Sequence, residues 1–310
     1  MSATALPRPR SAGPVLALLV NAFVWGVSWW PFRHLQGLGL HPLWATTLVY
    51  VFSAGAILAW RPGALRQVLT QPTLWVIFLA SGATNACFNW AVSIGDVVRV
   101  VLLFYLMPLW SLLLARVILH EKLTAGALAR VILRERLTRG ALARVALAVV
   151  GAALVLSQGG EGGATAHAIG LPDVLALLGG LVFALNNVML KRESHRPEEG
   201  RALAMFCGGA VVAGLTAAGL SAGGTAGVSW PVASIAWLAP GLGLALAFLV
   251  SNLCLQYGAA RLSAAATAVV MPCEVVFAAL TSVWWGGATL HASVLAGGAL
   301  ILVATLAATL

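Results

Sequence analysis

A set of polar and aromatic side chains inside long apolar runs carries the chemistry of a binding site in this 310-residue sequence. A polar group surrounded by hydrocarbon is costly unless it meets a partner or a water-filled cavity, so these residues mark a candidate path for a solute. They are Asn21, Trp25, Ser28, Asn85, Asn89, Tyr105, Asn186, Asn187, Asn252, Gln256 and Glu274. Together they predict a cavity that binds a small molecule.

Four of the amides form two pairs one helical turn apart, Asn85 with Asn89 and Asn252 with Gln256. Amides of this kind either hydrogen-bond the carboxylate or amine of a solute or lock neighbouring helices together. The sequence leaves both possibilities open at these four positions.

The first apolar run carries polar and aromatic residues at spacings of three and four positions. This spacing places Asn21, Trp25 and Ser28 on one side of a helix. We expect that side, with Trp25 at mid-span, to line the cavity. Asn186 and Asn187, in a later run, leave open the same choice between binding a solute and joining helices.

Glu274 is the only carboxylate well inside an apolar run. It is either a proton relay or counter-ion for an amino group on the solute, or a protonated side chain bonded to a backbone carbonyl that Pro272 leaves free. Pro108 and Pro272 lie inside two apolar runs and predict helix kinks. Tyr105, one turn before Pro108, is expected to act as an aromatic gate or platform.

The composition places these side chains in a membrane. Of the residues, 61% are hydrophobic and 9% are charged, more apolar surface than a soluble domain of this length can bury. The net charge of +9 would suggest nucleic acid in a soluble protein, but here the charges lie in short loops. We therefore predict membrane lipid and a small-molecule substrate as partners, with no nucleic acid, no metal and no cofactor.

Ten membrane-spanning helices are predicted from the apolar runs. If the N-terminus is cytoplasmic, 16 of the 18 Lys and Arg residues lie in cytoplasmic loops or the N-terminal tail, and only Arg33 and Arg99 lie on the other side. We therefore expect both termini on the cytoplasmic side of the inner membrane. Asp96 and Arg99 are expected to form a capping ion pair. The runs cover residues 13–34, 42–60, 73–93, 97–119, 141–158, 171–191, 202–221, 234–257, 262–284 and 291–309.

Two halves of five spans each, residues 1–158 and 159–310, share sequence features. The run Gly151–Leu156 resembles Gly297–Leu302, and both halves carry a proline in the fourth span. An odd number of crossings makes the second half enter from the opposite face of the membrane. The predicted fold class is therefore an all-α integral membrane protein of ten transmembrane helices arranged as two inverted five-helix repeats.

These features resemble the ten-helix drug/metabolite transporter superfamily, which is built from two EamA-like repeats. The residues that carry the resemblance are Trp25-Gly26, Pro108, Pro272, Glu121 and the small-residue starts at Gly151 and Gly297. The stretch NWAVSIGDVVRVVLLFYLMPLWS is most similar to the aromatic amino acid exporters of the YddG type. Two departures stand in the second half: Trp285-Gly286-Gly287 replaces a usual glutamate, and Glu274 follows Pro272 instead of preceding it.

A tandem duplication interrupts the pattern between the fourth and fifth spans. ARVILHEKLTAGAL at 115–128 is followed at once by ARVILRERLTRGAL at 129–142. Fourteen residues is close to four helical turns, so the insertion nearly preserves the facing of an apolar stripe. It either lengthens the fourth span into the cytoplasm or forms an amphipathic helix at the membrane surface.

The resemblance implies a transporter that exports aromatic and other neutral amino acids by alternating access, one five-helix repeat rocking against the other. Exporters of other small metabolites or drugs are the nearest alternative. Two further alternatives belong to other classes of protein: an intramembrane hydrolase that uses Ser81, and a non-catalytic membrane scaffold. Because Ser81 has no orienting partner in the sequence, we predict no enzyme activity. No Gly-Lys-Ser/Thr phosphate loop is present, which excludes ATP as the direct energy source.

Overall fold

The fold is a bundle of helices. The computed structural model describes residues 12–107, 169–225, 227–232, 234–259, 261–262, 270–288 and 290–307, with isolated positions at 110, 114, 146, 147, 150, 151, 153 and 154. Every regular element in these residues is a helix. This agrees with the predicted all-α class and with a membrane solvent, in which a helix satisfies its own backbone hydrogen bonds.

The described helices number eleven. Their bounds are α1 Ala12–Val27, α2 Trp29–Gly37, α3 Pro42–Trp60, α4 Gly63–Thr70, α5 Pro72–Ile94, α6 Val97–Phe104, α7 Leu171–Arg192, α8 Glu198–Ala222, α9 Ile235–Ala259, α10 Cys273–Gly286 and α11 Ala292–Ala307.

Six stretches in the described part of the chain are long and apolar enough to cross a membrane. They are Ala12–Gly37, Pro42–Trp60, Pro72–Ile94, Leu171–Leu190, Glu198–Ala222 and Ile235–Leu255. Two further apolar helices, Cys273–Gly286 and Ala292–Val303, are shorter. The predicted fourth and fifth spans lie largely outside the described residues, so the total of ten spans stays a prediction.

Local sequence signals set where several helices begin. His41 caps α3, its Nδ1 accepting from the Leu43 N–H at 3.2 Å, and Pro42 occupies the first turn, where no backbone donor is needed. Asp96 caps α6 by accepting from the Arg99 N–H at 2.7 Å. The predicted cap is therefore present, while the Arg99 guanidinium pairs bidentately with Asp173.

Two pairs of neighbouring helices, α3 with α5 and α5 with α7, run antiparallel. Tyr50 and Thr46 on α3 hydrogen-bond Asn85 and Asn89 on α5, respectively, so the start of α3 lies beside the end of α5. On α5 and α7, Gly95 lies next to Pro172 and Cys87 next to Gly179. The start of α7 therefore lies at the same end of the bundle as the end of α5.

Close glycine crossings join the predicted first half to the predicted second half. A Cβ on Gly26 would lie 2.6 Å from the Glu274 carbonyl oxygen, and one on Gly180 would lie 2.8 Å from that of Phe104. Gly82 lies against the backbone of Gly208 in the same way. Small residues let helix backbones approach closely in lipid, so the two halves interlock.

The matched small-residue runs of the fifth and tenth spans also meet. A Cβ on Gly151 would lie 2.6 Å from the Gly297 carbonyl oxygen. The two runs that suggested an internal repeat are thus packed on each other. The arrangement of the halves as inverted repeats stays a prediction. Pro108 and the duplication at 115–142 fall outside the described residues.

Candidate functional site

A cavity lies between the helices and encloses about 930 Å³ of empty space, including its open mouth. Its described lining comes from α1, α3, α5, α6, α7, α8, α9 and α10 and from the residues just after α6 and just before α10. The lining residues are Asn21, Trp25, Tyr50, Ser81, Thr84, Asn85, Phe88, Phe104, Tyr105, Met107, Phe183, Asn186, Met205, Phe206, Phe248, Asn252, Leu255, Met271 and Glu274.

Seven of the residues singled out in the sequence line this one cavity, although five different helices and the turn after α6 supply them. They are Asn21, Trp25, Asn85, Tyr105, Asn186, Asn252 and Glu274. Their convergence is a property of the fold, since hundreds of residues separate the first from the last. That they bind a substrate stays a prediction.

The other predicted binding residues lie elsewhere. Ser28 donates to the Trp25 carbonyl oxygen at 2.8 Å, where α1 gives way to α2. Asn89 donates to Thr46 Oγ1 at 3.0 Å and joins α5 to α3. Asn187 is half-buried on α7 and does not line the cavity. The side chain of Gln256 falls outside the described residues.

Aromatic rings form most of the apolar wall. The ring of Trp25 lies 4.7 Å from that of Phe248 and 6.0 Å from that of Phe88, between centroids. Phe104 continues this wall at 4.8 Å from Phe88 and 5.2 Å from Phe183. Such rings offer stacking and edge contacts to an aromatic solute.

The chain breaks its helical course at two points on the cavity wall. α6 ends at Phe104 and the chain turns at Tyr105, while α10 starts only at Cys273, with Pro272 as its N-cap. The Met271 carbonyl accepts from the Glu274 N–H, three positions later, at 3.0 Å. In a regular α-helix the donor would lie four positions later. Regular α-helix therefore begins only after Pro272, and the helix kink predicted at this proline stays a prediction.

Tyr105 connects these two breaks. Its hydroxyl lies 2.9 Å from the Met271 carbonyl oxygen and 3.1 Å from Glu274 Oε2. The buried Glu274 carboxyl thus meets a phenol, and the carbonyl next to Pro272 meets that same phenol. Tyr105 acts here as a clamp between two helices and as a wall of the cavity.

The amides of the cavity differ in which of their atoms are hydrogen-bonded. Asn21 Nδ2 donates to the Ser251 carbonyl oxygen at 3.2 Å and to its Oγ at 2.7 Å, and Asn21 Oδ1 has no hydrogen-bond partner among the described residues. Asn186 Oδ1 is likewise buried without a partner in this part of the chain. Asn85 Nδ2 donates to the Ser81 carbonyl oxygen at 2.8 Å, and Asn85 Oδ1 accepts from the Tyr50 hydroxyl.

One end of the bundle, here named the sealed end, is closed by polar contacts between the tips of α2, α6 and α7. Arg99 binds Asp173 through two hydrogen bonds, Nε to Oδ1 at 2.7 Å and Nη2 to Oδ2 at 2.8 Å. Arg33 Nη2 donates to the Gly95 carbonyl oxygen at 2.5 Å. The pair is largely buried, with 13% and 7% of the two side chains exposed.

The opposite end, here named the open end, holds a second cavity where α3 ends and α8 begins. It encloses about 920 Å³ of space and is lined by Trp60, Arg61, Glu198 and Glu199 among others. Phe206 and Asn252 line both cavities. The central cavity therefore adjoins the second cavity at the open end.

Sequence reasoning missed several lining residues. Tyr50, Phe206 and Phe248 lie within apolar runs. There the sequence does not indicate which way an aromatic side chain faces. Asp173 was also missed, because its partner Arg99 is 74 positions away. Within the described residues no group of three or more His, Cys, Asp or Glu side chains is placed to hold a metal ion.

Comparison with known proteins bears on the first part of the chain. Residues 13–129 match the EamA-like transporter family. A solved crystal structure aligns over 97% of this chain and 97% of its own, with 21% sequence identity and a TM-score of 0.56, which supports the fold. No curated protein sequence matches the chain. The EamA match supports a multi-pass membrane protein of transporter type.

Proposed function

From the EamA-like match and the central cavity, we propose that this protein is a secondary transporter of the inner membrane that exports aromatic and other neutral amino acids by alternating access. The observation that carries the proposal is the cavity itself. It lies in the middle of the bundle and adjoins the second cavity at the open end, whereas a buried ion pair lies at the sealed end. An alternating-access carrier in a conformation open to one side of the membrane has one open and one closed end in this way.

The charge distribution of the loops supports a cytoplasmic position for the open end. Arg61 and the Glu198–Glu199 start of α8 belong to loops that the sequence predicts to be cytoplasmic, while Arg33 and Arg99 lie at the sealed end. They are the two basic residues predicted on the outer side. In this orientation the cavity faces the cytoplasm and is ready to load cargo for export.

The lining suits a solute with an aromatic body and a small polar head. Rings of Trp25, Phe88 and Phe248 provide a stacking surface. Glu274 and the amides of Asn186 and Asn252 provide polar groups on the same wall. Neutral amino acids of the aromatic type combine these two characters.

The glycine crossings support moving bodies that differ from the two sequence halves. Gly82 and Gly208 tie α5 to α8, and Gly26 ties α1 to α10, so each close contact joins a helix of one half to a helix of the other. We place one body around α3, α5, α7 and α8, and the other around α1, α9 and α10. The cavity lies between them.

Export of other small metabolites or drugs is a second candidate, favoured by the methionines of the wall. Met107, Met205 and Met271 line the cavity, and flexible thioether side chains accommodate ligands of different shape. A carrier with this wall would accept several apolar solutes.

Counterflow in proteoliposomes tests the proposal directly. Vesicles loaded with unlabelled tryptophan, phenylalanine or leucine are expected to accumulate the matching radiolabelled amino acid, and vesicles without protein are not. Failure of every amino acid together with counterflow of an unrelated apolar metabolite would favour the second candidate. Failure of all solutes would contradict transport.

A further inference from the structure

The central cavity is lined by residues that carry three buried oxygen acceptors, two of which have no partner among the described residues. From these acceptors we infer that the cavity recognises the ammonium group of an amine and does not require a carboxylate on the cargo. The inference rests on the proposed transport function and narrows its substrate class to primary amines that carry an aromatic or other apolar body. A free amine of this class, such as an arylalkylamine, would then be carried as well as an amino acid.

Three buried oxygen-bearing groups from three helices support the inference. Asn21 Oδ1 and Asn186 Oδ1 are buried and have no hydrogen-bond partner in the part of the chain that the structure describes, and each residue is only 1% exposed. Glu274 adds a carboxylate whose Oε2 meets the Tyr105 hydroxyl. A buried acceptor without a donor costs free energy, and an ammonium group supplies three donors.

The orientation of two amides follows from acceptors that cannot donate. The Ser251 backbone carbonyl can only accept, so the Asn21 atom 3.2 Å from it is the NH₂ group. The Ser81 carbonyl fixes Asn85 in the same way at 2.8 Å. The donors of both amides are therefore used within the protein, and the Asn21 oxygen has no partner among the described residues.

Charge points in the same direction. Glu274 is the only acidic or basic residue among the described residues that line the cavity. Arg99 and Arg33, at the sealed end, are engaged with Asp173 and the Gly95 carbonyl. Within this described lining a carboxylate on the cargo would meet no cation, whereas an ammonium would meet Glu274.

Three probes that share an indole ring separate the contributions of the two charged groups. Tryptophan carries both groups, tryptamine carries only the ammonium and indole-3-propionate carries only the carboxylate. Binding is measured as the thermal stabilisation of the full chain in detergent, and transport as counterflow in proteoliposomes. We expect tryptamine to bind and move at least as well as tryptophan, and indole-3-propionate to do neither.

Variants of the site test its parts. Glu274→Gln keeps the shape of the side chain and removes its charge, and should weaken tryptamine binding about tenfold or more. Glu193→Gln, which removes a buried carboxylate outside the cavity, should leave binding unchanged. If Glu274→Gln does not fold, Asn186→Leu serves instead. The Asn186 amide makes no hydrogen bond within the described structure, so its loss should cost little stability while weakening tryptamine binding.

The outcomes distinguish this inference from the proposed function. Movement of tryptophan without binding of tryptamine would overturn the inference and leave amino acid export standing. Movement of tryptamine without tryptophan would support the inference and remove amino acids as cargo. Equal binding of indole-3-propionate and tryptamine, or binding of none of the three probes, would also overturn the inference.

Discussion

The two ends of the bundle differ in how their charged residues are used. At the sealed end, Arg99 and Asp173 are buried and bind each other through two hydrogen bonds. At the open end, Arg61 is exposed and lies over the Trp60 ring at 5.0 Å. A buried ion pair fixes the two helices that carry it relative to each other, whereas an exposed cation that contacts a ring stabilises its surroundings only weakly. Under the proposed alternating access, the sealed end is the one that has to open for the cavity to change sides.

The largest expected effect breaks the sealed end itself. Arg99→Ala leaves the Asp173 carboxylate largely buried without its main partner and should lower the free energy of unfolding by about 3–5 kcal/mol. Arg61→Ala, the same change at the open end, should alter it by less than about 0.5 kcal/mol. Thermal unfolding in detergent measures both. Equal losses at the two ends would contradict the asymmetry.

Accessibility to a water-soluble thiol reagent sharpens the same comparison. In a protein whose four native cysteines are replaced, Ala202→Cys at the open end should react at least about a hundredfold faster than Ser93→Cys near the sealed end. Ser93 is 7% exposed, and reaching it requires local opening at a cost of about 3 kcal/mol. Adding Arg99→Ala should speed the reaction at Ser93→Cys and leave the one at Ala202→Cys unchanged.

A smaller effect is expected from the aromatic wall between the two ends. Trp25→Ala removes a ring that contacts Phe88 and Phe248 and should reduce transport of an aromatic amino acid about tenfold, through lost stacking worth about 1 kcal/mol or more. Trp30→Ala, on a residue that is 47% exposed, provides the matched control and should change transport little. Counterflow in proteoliposomes compares the two variants. Equal transport by both would mean that the ring of Trp25 does not contact the cargo.

The smallest effect concerns pH and the cap of α3. Burial lowers the pKa of His41 from its usual 6.5, so below pH 6.5 the unfolded chain binds more protons than the folded protein. Stability should therefore fall as the pH drops below 6.5, by less than about 1.4 kcal/mol per pH unit. Unfolding at pH 5.5 and 7.5 measures this loss. His41→Asn keeps a capping acceptor and should remove its contribution to the pH dependence.

The sequence predicted the membrane helices well where they are long and uninterrupted. Hydropathy alone placed α3, α5 and α7 within a few residues of their observed bounds, because an apolar run of about 20 residues has few alternatives to a helix across a bilayer. It could not foresee that Cys273 starts a helix, because the break depends on how the chain around Pro272 meets Tyr105. It also gave no sign of the short helix α4.

The candidate site was predictable as a set of residue types and not as an arrangement. Asn21 and Glu274 are conspicuous because polar groups are rare in such runs. Whether an amide faces a cavity or a neighbouring helix depends on a few tens of degrees of helix rotation, which the sequence does not specify. Asn85 and Asn89 show this: they are one turn apart on α5, yet only Asn85 lines the cavity.

The bond from Asn21 to Ser251 joins positions 230 residues apart and has a consequence for biosynthesis. When the first helix leaves the ribosome, its amide has no permanent partner until nearly the whole chain has been made. The nascent protein must hold α1 in the bilayer, or shield it at the insertion machinery, while the helices up to α9 are made. Expressing the two halves as separate polypeptides would therefore yield neither a stable first half nor a functional second half unless both were made together.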